Sequence, residues 1–236
     1  MLFHKSPDDY PINVSVIAFD LDGTLADTLP DLCAATNRLA SDLELGPVSE
    51  ALVGGFVGRG IEHLVIELLG HAGLRVSPTR QAQLVARFKT HYAECVCDNT
   101  RLFPGVRETL EQLSRSGFYL ACLTNKSEAF TVPILKKLEI DYFFKRIVCG
   151  DSLARRKPDP LPLEHLADYF GANTSQVLLV GDSMTDTQCA RNANSPVFCV
   201  PYGYRSGMGA EELDCDVLID DVRDILKLLK KLEFQR

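Results

Sequence analysis

No run in this chain approaches the ~20 consecutive apolar residues of a membrane-spanning helix, so no such helix is expected. The first thirteen residues carry Pro7, Asp8, Asp9 and Pro11 and lack the apolar centre of a signal peptide. Residues 1–13 are therefore expected to form a flexible N-terminal tail. There is no basic block of the kind that tracks a nucleic-acid backbone, and the formal net charge is −7, from 25 basic and 32 acidic residues. The densest basic cluster, Lys227, Lys230 and Lys231, has the spacing of one solvated face of a closing helix over Val222–Leu232. Neither nucleic acid nor membrane is expected as a partner. Internal repeats and low-complexity segments are also missing. The eight cysteines lack regular spacing, and Cys95-Val96-Cys97 is too tight for a zinc or redox C-x-x-C pair. Several cysteines lie in apolar runs, as buried free thiols do. A reducing, cytoplasmic setting without a disulfide framework is the expectation.

What is present is an ordinary folded composition, 46% hydrophobic and 24% charged, long enough for one large domain or one domain with an insertion. Strand-like runs occupy Val14–Phe19, Phe118–Leu123, Arg146–Cys149, Gln176–Val180, Val197–Val200 and Asp216–Ile219. Helical patterns separate them at Pro104–Ser116, Glu128–Leu138, Leu161–Phe170 and Thr185–Asn192. This alternation predicts an α/β fold with a doubly wound, Rossmann-like parallel sheet. About a hundred residues separate the first two strands, whereas a crossover needs only about a dozen. Much of that interval is helical in pattern (Leu29–Leu43, Ile61–Leu69, Pro78–Cys97), which reads as an inserted helical bundle.

The run Val14–Phe19 delivers Asp20 and Asp22 into the turn Gly23-Thr24. A near-continuous apolar run is the signature of a buried parallel strand, and ligands of open parallel sheets bind at strand carboxyl ends. The same placement recurs along the chain. The second run ends in Thr124-Asn125-Lys126, the third is followed by Arg155-Arg156-Lys157-Pro158, and the fourth by Gly181-Asp182-Ser183-Met184-Thr185-Asp186. An ionised Asp is able to attack phosphorus, a neighbouring carboxyl to carry a proton, and a hydroxyl and an ammonium to hold phosphoryl oxygens.

With these four motifs the chain resembles the haloacid-dehalogenase-like superfamily of phosphotransferases over nearly its whole length, and most of all the phosphoglycolate phosphatase branch. The resemblance implies Asp20 as nucleophile and Asp22 as general acid/base. Dehalogenases of the superfamily lack the second Asp and phosphonate hydrolases usually carry Ala there, so Asp22 points to phosphate esters. It implies a Mg²⁺ cofactor held by the Asp20 carboxylate, the Asp22 backbone carbonyl and Asp182, with Asp186, one helical turn further on, contacting the metal directly or through water or orienting one of its ligands. Asp182 is alternatively the N-cap of the helix that follows it. Thr124, Asn125 and Lys157 match the phosphate site, while Arg155 and Arg156 read as solvated. A helical cap is inserted in these proteins, which corresponds to residues 30–99 here, leaving 14–29 and 100–236 as the catalytic core. Gly58-Arg59-Gly60 before a helix resembles the branch's substrate loop, with Arg59 facing a substrate carboxylate. Pro201–Tyr204 reads as loop packing. The implied activity is hydrolysis of a small phosphorylated metabolite, 2-phosphoglycolate first, through an aspartyl phosphate. A phosphosugar mutase, a pyrophosphatase or other phosphometabolite phosphatase, and a non-catalytic interaction module are the alternatives. The oligomeric state is left open.

Overall fold

The order of apolar residues along three strands sets the layers of this protein. In a computed structural model, which describes residues 1–3, 6–205, 207 and 209–232, the chain begins with β1 (Leu2–Phe3), β2 (Ile12–Val14), β3 (Val16–Phe19) and β4 (Ala26–Asp27). Four helices follow: α1 (Leu29–Asp42), α2 (Glu50–Gly54), α3 (Ile61–His71) and α4 (Pro78–Cys95). Then come β5 (Arg101–Leu102), α5 (Val106–Arg115), β6 (Tyr119–Leu123), α6 (Glu128–Lys137) and β7 (Phe144–Val148). The chain closes with α7 (Leu161–Phe170), β8 (Val177–Gly181), α8 (Met184–Ala193), β9 (Val197–Cys199), β10 (Val217–Leu218) and β11 (Leu229–Lys231).

The seven-stranded sheet runs β1-β10-β9-β8-β3-β6-β7 and is parallel except for β1. Strand side chains alternate between faces, and here both faces are apolar. Ile17 and Phe19 pack on one side with Leu110 and Leu113 of α5 and Ile134 of α6. Val16 and Ala18 pack on the other with Leu163 and Leu166 of α7 and Ala190 of α8. Burying a Phe or Leu side chain fully contributes roughly 1.5–3 kcal/mol, and Phe19, Leu110 and Leu120 are all at most 1% exposed. β3 sits between β6 and β8. The chain runs outward from it in both directions, so the sheet's topological switch point lies beside β3, where α/β folds form their ligand crevice.

A third apolar cluster joins α1 to α4 through Leu32, Leu39, Val53, Leu68, Phe88 and Tyr92, and takes in Phe130 of α6. The two strands that lead into and out of these helices, β4 and β5, pair with each other antiparallel. Asp31 pins the exit: its fully buried carboxylate accepts hydrogen bonds from the Asn99 and Thr100 backbone N–H groups, both at 2.9 Å, and from the Thr100 hydroxyl at 2.6 Å.

Two expectations fail at the chain ends. The N-terminal segment is not a free tail, because β1 pairs with β10 and β2 with β11. Its apolar side chains explain this: Phe3, Tyr10 and Ile12 pack on the core, with the Tyr10 ring 5.1 Å from Phe3 and 6.0 Å from Phe198. The expected helix over Val222–Leu232 is instead a 3₁₀ segment, Val222–Leu228, followed by β11. Val222, Ile225 and Leu228 are buried at a spacing of three, which matches the three residues per turn of a 3₁₀-helix. Lys230 and Lys231 are exposed on β11 and share no helix face with Lys227.

Candidate functional site

Asp20 is the first residue past β3. Its backbone N–H still donates to Val180 O at 2.9 Å, continuing the ladder, while its carboxylate leaves the sheet edge. Oδ1 accepts from the Leu21 N–H at 2.7 Å and stands 3.0 Å from Lys157 Nζ. The chain then turns at Gly23, whose φ of 82° favours glycine. A Cβ at Gly23 would come within 2.5 Å of Asp182 Oδ2, so the absent side chain is what lets the β3 turn approach the end of β8.

Asp182 follows β8 directly. Its Oδ1 accepts from the Thr24 hydroxyl at 2.7 Å and its Oδ2 from the Tyr204 N–H at 2.8 Å. Asp182 does not cap α8. Ser183 is the N-cap, and Asp186 completes a capping box. Asp186 Oδ2 accepts from Ser183 N (3.1 Å) and Ser183 Oγ (2.6 Å), and Oδ1 from Lys157 Nζ (2.7 Å). Lys157 also donates to Leu123 O at 2.8 Å, so its ammonium is held by β6, β3 and α8 together.

Asp20, Asp182 and Asp186 are all buried, and each offers one oxygen within 4.8 Å of the others. Burial pushes the Asp20 carboxyl up to about 7. Lys157 works against that rise, and the charges of Asp186 and Asp22 add to it. Asp182 is raised well above the carboxylate range by burial, with Asp186 and Asp20 contributing. Burial opposes the charge on Lys157, but Asp186 and Asp20 outweigh it and its pKa lies above the ordinary lysine value. Three carboxylates around one ammonium leave the cluster short of positive charge. A set of hard oxygen donors with a negative surplus suits a small divalent cation such as Mg²⁺.

Asp22 lies on the other side of Asp20. Its Oδ1 accepts from the Thr28 hydroxyl at 2.6 Å, and both its oxygens accept from Lys126 Nζ, at 2.9 and 3.0 Å. The Thr124 hydroxyl accepts from the Lys126 N–H at 3.2 Å, leaving its own O–H to donate. Asn125 Nδ2 donates to Lys157 O and to Gly58 O, both at 2.9 Å, and the second bond ties the inserted helices to the sheet edge. Asp20, Asp22, Thr124, Asn125 and Lys126 line one cavity of about 400 Å³, counting its open mouth, whose remaining wall is Leu32, Val57, Gly58, Gly60, Ile61 and Leu64.

Of the residues singled out in the sequence, Asp20, Asp22, Thr124, Asn125, Lys157, Asp182, Asp186, Gly58 and Gly60 meet at this edge of the sheet. Arg59 does not join them. It is exposed and lines two outer clefts, one with Arg155 and Arg156 and one with Met184 and Tyr204. The reason is local. Gly58 (φ 111°) and Gly60 (φ 86°) turn the backbone towards the cavity, and the side chain between them faces outward.

The sequence put neither Lys126 nor Thr24 in the site, and read Thr28 as part of a hinge to the inserted helices and Tyr204 as loop packing. Lys126 carried a usable signal, a cation immediately after the Thr-Asn of a strand end. The Pro201–Tyr204 loop does more than pack. Besides holding Asp182, the Tyr204 hydroxyl donates to Asp27 Oδ1 (2.5 Å) and accepts from the Thr28 and Leu29 N–H groups (2.7 and 3.0 Å).

Three comparisons bear on this arrangement. The sequence profile described as haloacid dehalogenase-like hydrolase matches residues 17–200. A phosphoglycolate phosphatase of Nitrosospira multiformis is 41% identical over 223 residues, covering 94% of this chain and 98% of the relative, and one of Thiobacillus denitrificans is 40% identical over the same span. A crystal structure described as a predicted phosphoglycolate phosphatase from Haemophilus somnus superposes with a TM-score of 0.86 at 36% identity, covering 91% of this chain and 97% of that one.

Proposed function

This chain belongs to the haloacid dehalogenase-like hydrolases, and we propose that it is a Mg²⁺-dependent phosphatase whose substrate is 2-phosphoglycolate. One observation carries the reading. Asp20, Asp22, Thr124 and Asp182 come from three separate strand ends and Lys157 from the loop after β7, and all surround one edge of the sheet. The ~40% identity to curated phosphoglycolate phosphatases over almost the full chain supports the choice of substrate.

The residues divide the work as follows. The phosphate sits against Thr124 Oγ1, the backbone N–H groups that follow it, and Lys157. Asp20 presents its second oxygen, Oδ2, to phosphorus, since Oδ1 is engaged by Leu21 N and Lys157. The O–P bond to Asp20 forms as the ester P–O bond breaks, and Asp22 gives its proton to the departing glycolate oxygen. Asp22 then takes a proton from water, which attacks the aspartyl phosphate and frees Asp20. The metal ion would be held by the Asp20 carboxylate, Asp22 O and Asp182. When bound it offsets the negative charge of the phosphate and fixes its orientation. Asp186, with one oxygen on Lys157 and the other on Ser183, orients Lys157 and the end of β8. Residues 30–99 act as the cap. The backbone of Gly58 and Gly60 and the first turn of α3 face the substrate end of the cavity and are suited to anions. Seven of the eight free cysteines are buried, which fits a reducing compartment, and we place the enzyme in the cytoplasm.

The reading is tested by kcat/KM over a few dozen phosphometabolites, in which 2-phosphoglycolate is expected to rank at or near the top. A screen in which it is a poor substrate would remove that assignment and leave the phosphatase chemistry standing. Exhaustive chelation is expected to lower turnover to below about one-hundredth, with recovery on adding Mg²⁺ but not Ca²⁺, whose longer bonds and higher coordination number loosen in-line geometry. Full activity in the chelated enzyme would contradict the metal assignment. Because Arg59 is outside the cavity, Arg59→Ala is expected to change kcat/KM by less than about threefold, within the range of ordinary surface substitutions. A large loss confined to 2-phosphoglycolate would show that Arg59 swings inward to meet substrate.

A further inference from the structure

We propose that Lys126 is the side chain that recognises the substrate's carboxylate, an inference that rests on the phosphoglycolate reading above. Lys126 is the one basic side chain among the described residues lining the cavity. Lys157 serves the phosphate end of the site, with its ammonium shared among Leu123 O, Asp20 and Asp186. Arg59, Arg155 and Arg156 border other clefts.

Position follows from the chemistry of the leaving group. Asp22 acts on the ester oxygen, and in phosphoglycolate a single methylene separates that oxygen from the carboxylate carbon. The carboxylate must therefore lie within a few ångströms of whatever partners Asp22. Asp22 has two side-chain partners, the Thr28 hydroxyl at 2.6 Å and Lys126 Nζ, 2.9 and 3.0 Å from its two oxygens, and of these Lys126 is the cation. An ammonium has three N–H donors, and Asp22 takes at most two of them.

The ammonium is also prevented from withdrawing. Lys126 is 5% exposed, and its Nζ lies 4.9 Å from the centroid of the Tyr92 ring of α4, a cation–π contact from the inserted helices. The apolar side chains of the cavity wall are Leu32, Val57, Ile61 and Leu64. A carboxylate brought against those side chains loses water and gains nothing unless a cation meets it. The same wall would take an uncharged alkyl group without penalty, so the cation decides between substrates of equal size.

The test uses two substrates that differ only at that end, 2-phosphoglycolate and ethyl phosphate. In the Mg²⁺-loaded wild-type enzyme, kcat/KM is expected to favour phosphoglycolate. In Lys126→Met the ratio of the two kcat/KM values is expected to fall ~10- to 100-fold, the size of one charged hydrogen bond. Both substrates lose a common factor as well, because Asp22 loses its partner. Lys126→Arg is expected to retain most of the ratio. If Lys126→Met does not melt cooperatively, Lys126→Gln, which keeps a neutral donor on Asp22, carries the same measurement. A ratio that is unchanged while both rates fall overturns the proposal, makes Lys126 a positioning residue for Asp22 only, and assigns the carboxylate to the backbone at Gly58 and Gly60. A wild-type enzyme without preference for phosphoglycolate is a different failure: it removes the substrate reading itself and this inference with it.

Discussion

Asp20→Asn is expected to lower kcat by at least about a thousandfold and to leave the fold intact. The asparagine oxygen can still accept the Leu21 N–H bond that Asp20 Oδ1 accepts at 2.7 Å. What is lost is the anion at the other oxygen, and with it the bond to phosphorus. Stability should not fall in step. Asp20 is buried beside Asp186 and Asp22, and its carboxyl is raised to about 7, so the folded protein already resists this charge. Removing it relieves crowding in the carboxylate cluster, while Lys157 keeps Asp186 at 2.7 Å. The metal-free variant is therefore expected to melt at or above the wild-type temperature. Single-turnover kinetics and thermal melts on the same preparation check both halves. Retention of more than about a tenth of kcat, a loss that ordinary positioning effects produce, would remove Asp20 as nucleophile.

The second large effect is expected at Lys157, on activity and stability together. Lys157→Met leaves Asp20 and Asp186 without the one ammonium that, among the described residues, pairs with both, and Asp182 lies in the same carboxylate cluster. Lys157 is 3% exposed and Asp186 fully buried. Removing one partner from a buried ion pair costs roughly 3–5 kcal/mol, because the remaining charge stays desolvated. From the sequence alone the loss would be expected in kcat far more than in stability. The burial of Asp186 against Lys157 adds the structural cost. Turnover is expected to drop about a hundredfold or more, since the phosphate also loses a cation. Mg²⁺ should recover part of the melting temperature, because a ligand that binds only the folded state stabilises it by mass action, and should not recover kcat. Near-wild-type kinetics would leave Lys157 a structural counter-ion of Asp186 with no part in turnover.

Much of the site was legible because it is organised by strand ends. Three apolar runs close directly on their polar motif, Phe19 on Asp20, Leu123 on Thr124 and Gly181 on Asp182, while Lys157 lies in the loop after β7. A buried parallel strand needs apolar residues on both faces, so its end is visible as a change of composition. The insertion was visible for a similar reason, as a helical interval too long for a crossover. The two errors at the chain ends share a cause. The apolar residues at Phe3, Tyr10 and Ile12 are too few and too irregular to announce strands, and β1 and β2 exist because β10 and β11 offer edges to pair with. A spacing of three over Val222, Ile225 and Leu228 is compatible with an amphipathic α-helix until the pairing of Leu229–Lys231 with β2 takes the last turn away.

By itself, the sequence determined that Asp20, Asp22, Thr124 and Asp182 stand at the carboxyl ends of buried strands, because local apolar runs and their abrupt endings fix that placement, and it put Lys157 in the loop after the third strand. Only the tertiary structure decided how these groups are partnered. Lys126 lies 104 positions from Asp22, Thr24 lies 158 from Asp182, and Tyr204 reaches Asp182 through its backbone N–H, which every residue type but proline possesses. No local pattern encodes such pairs. They are set by the register of β3 against β6 and β8 and by the close approach allowed at Gly23. The same holds for Arg59, whose neighbours in sequence line the cavity while its own side chain, between two residues of positive φ, points to solvent.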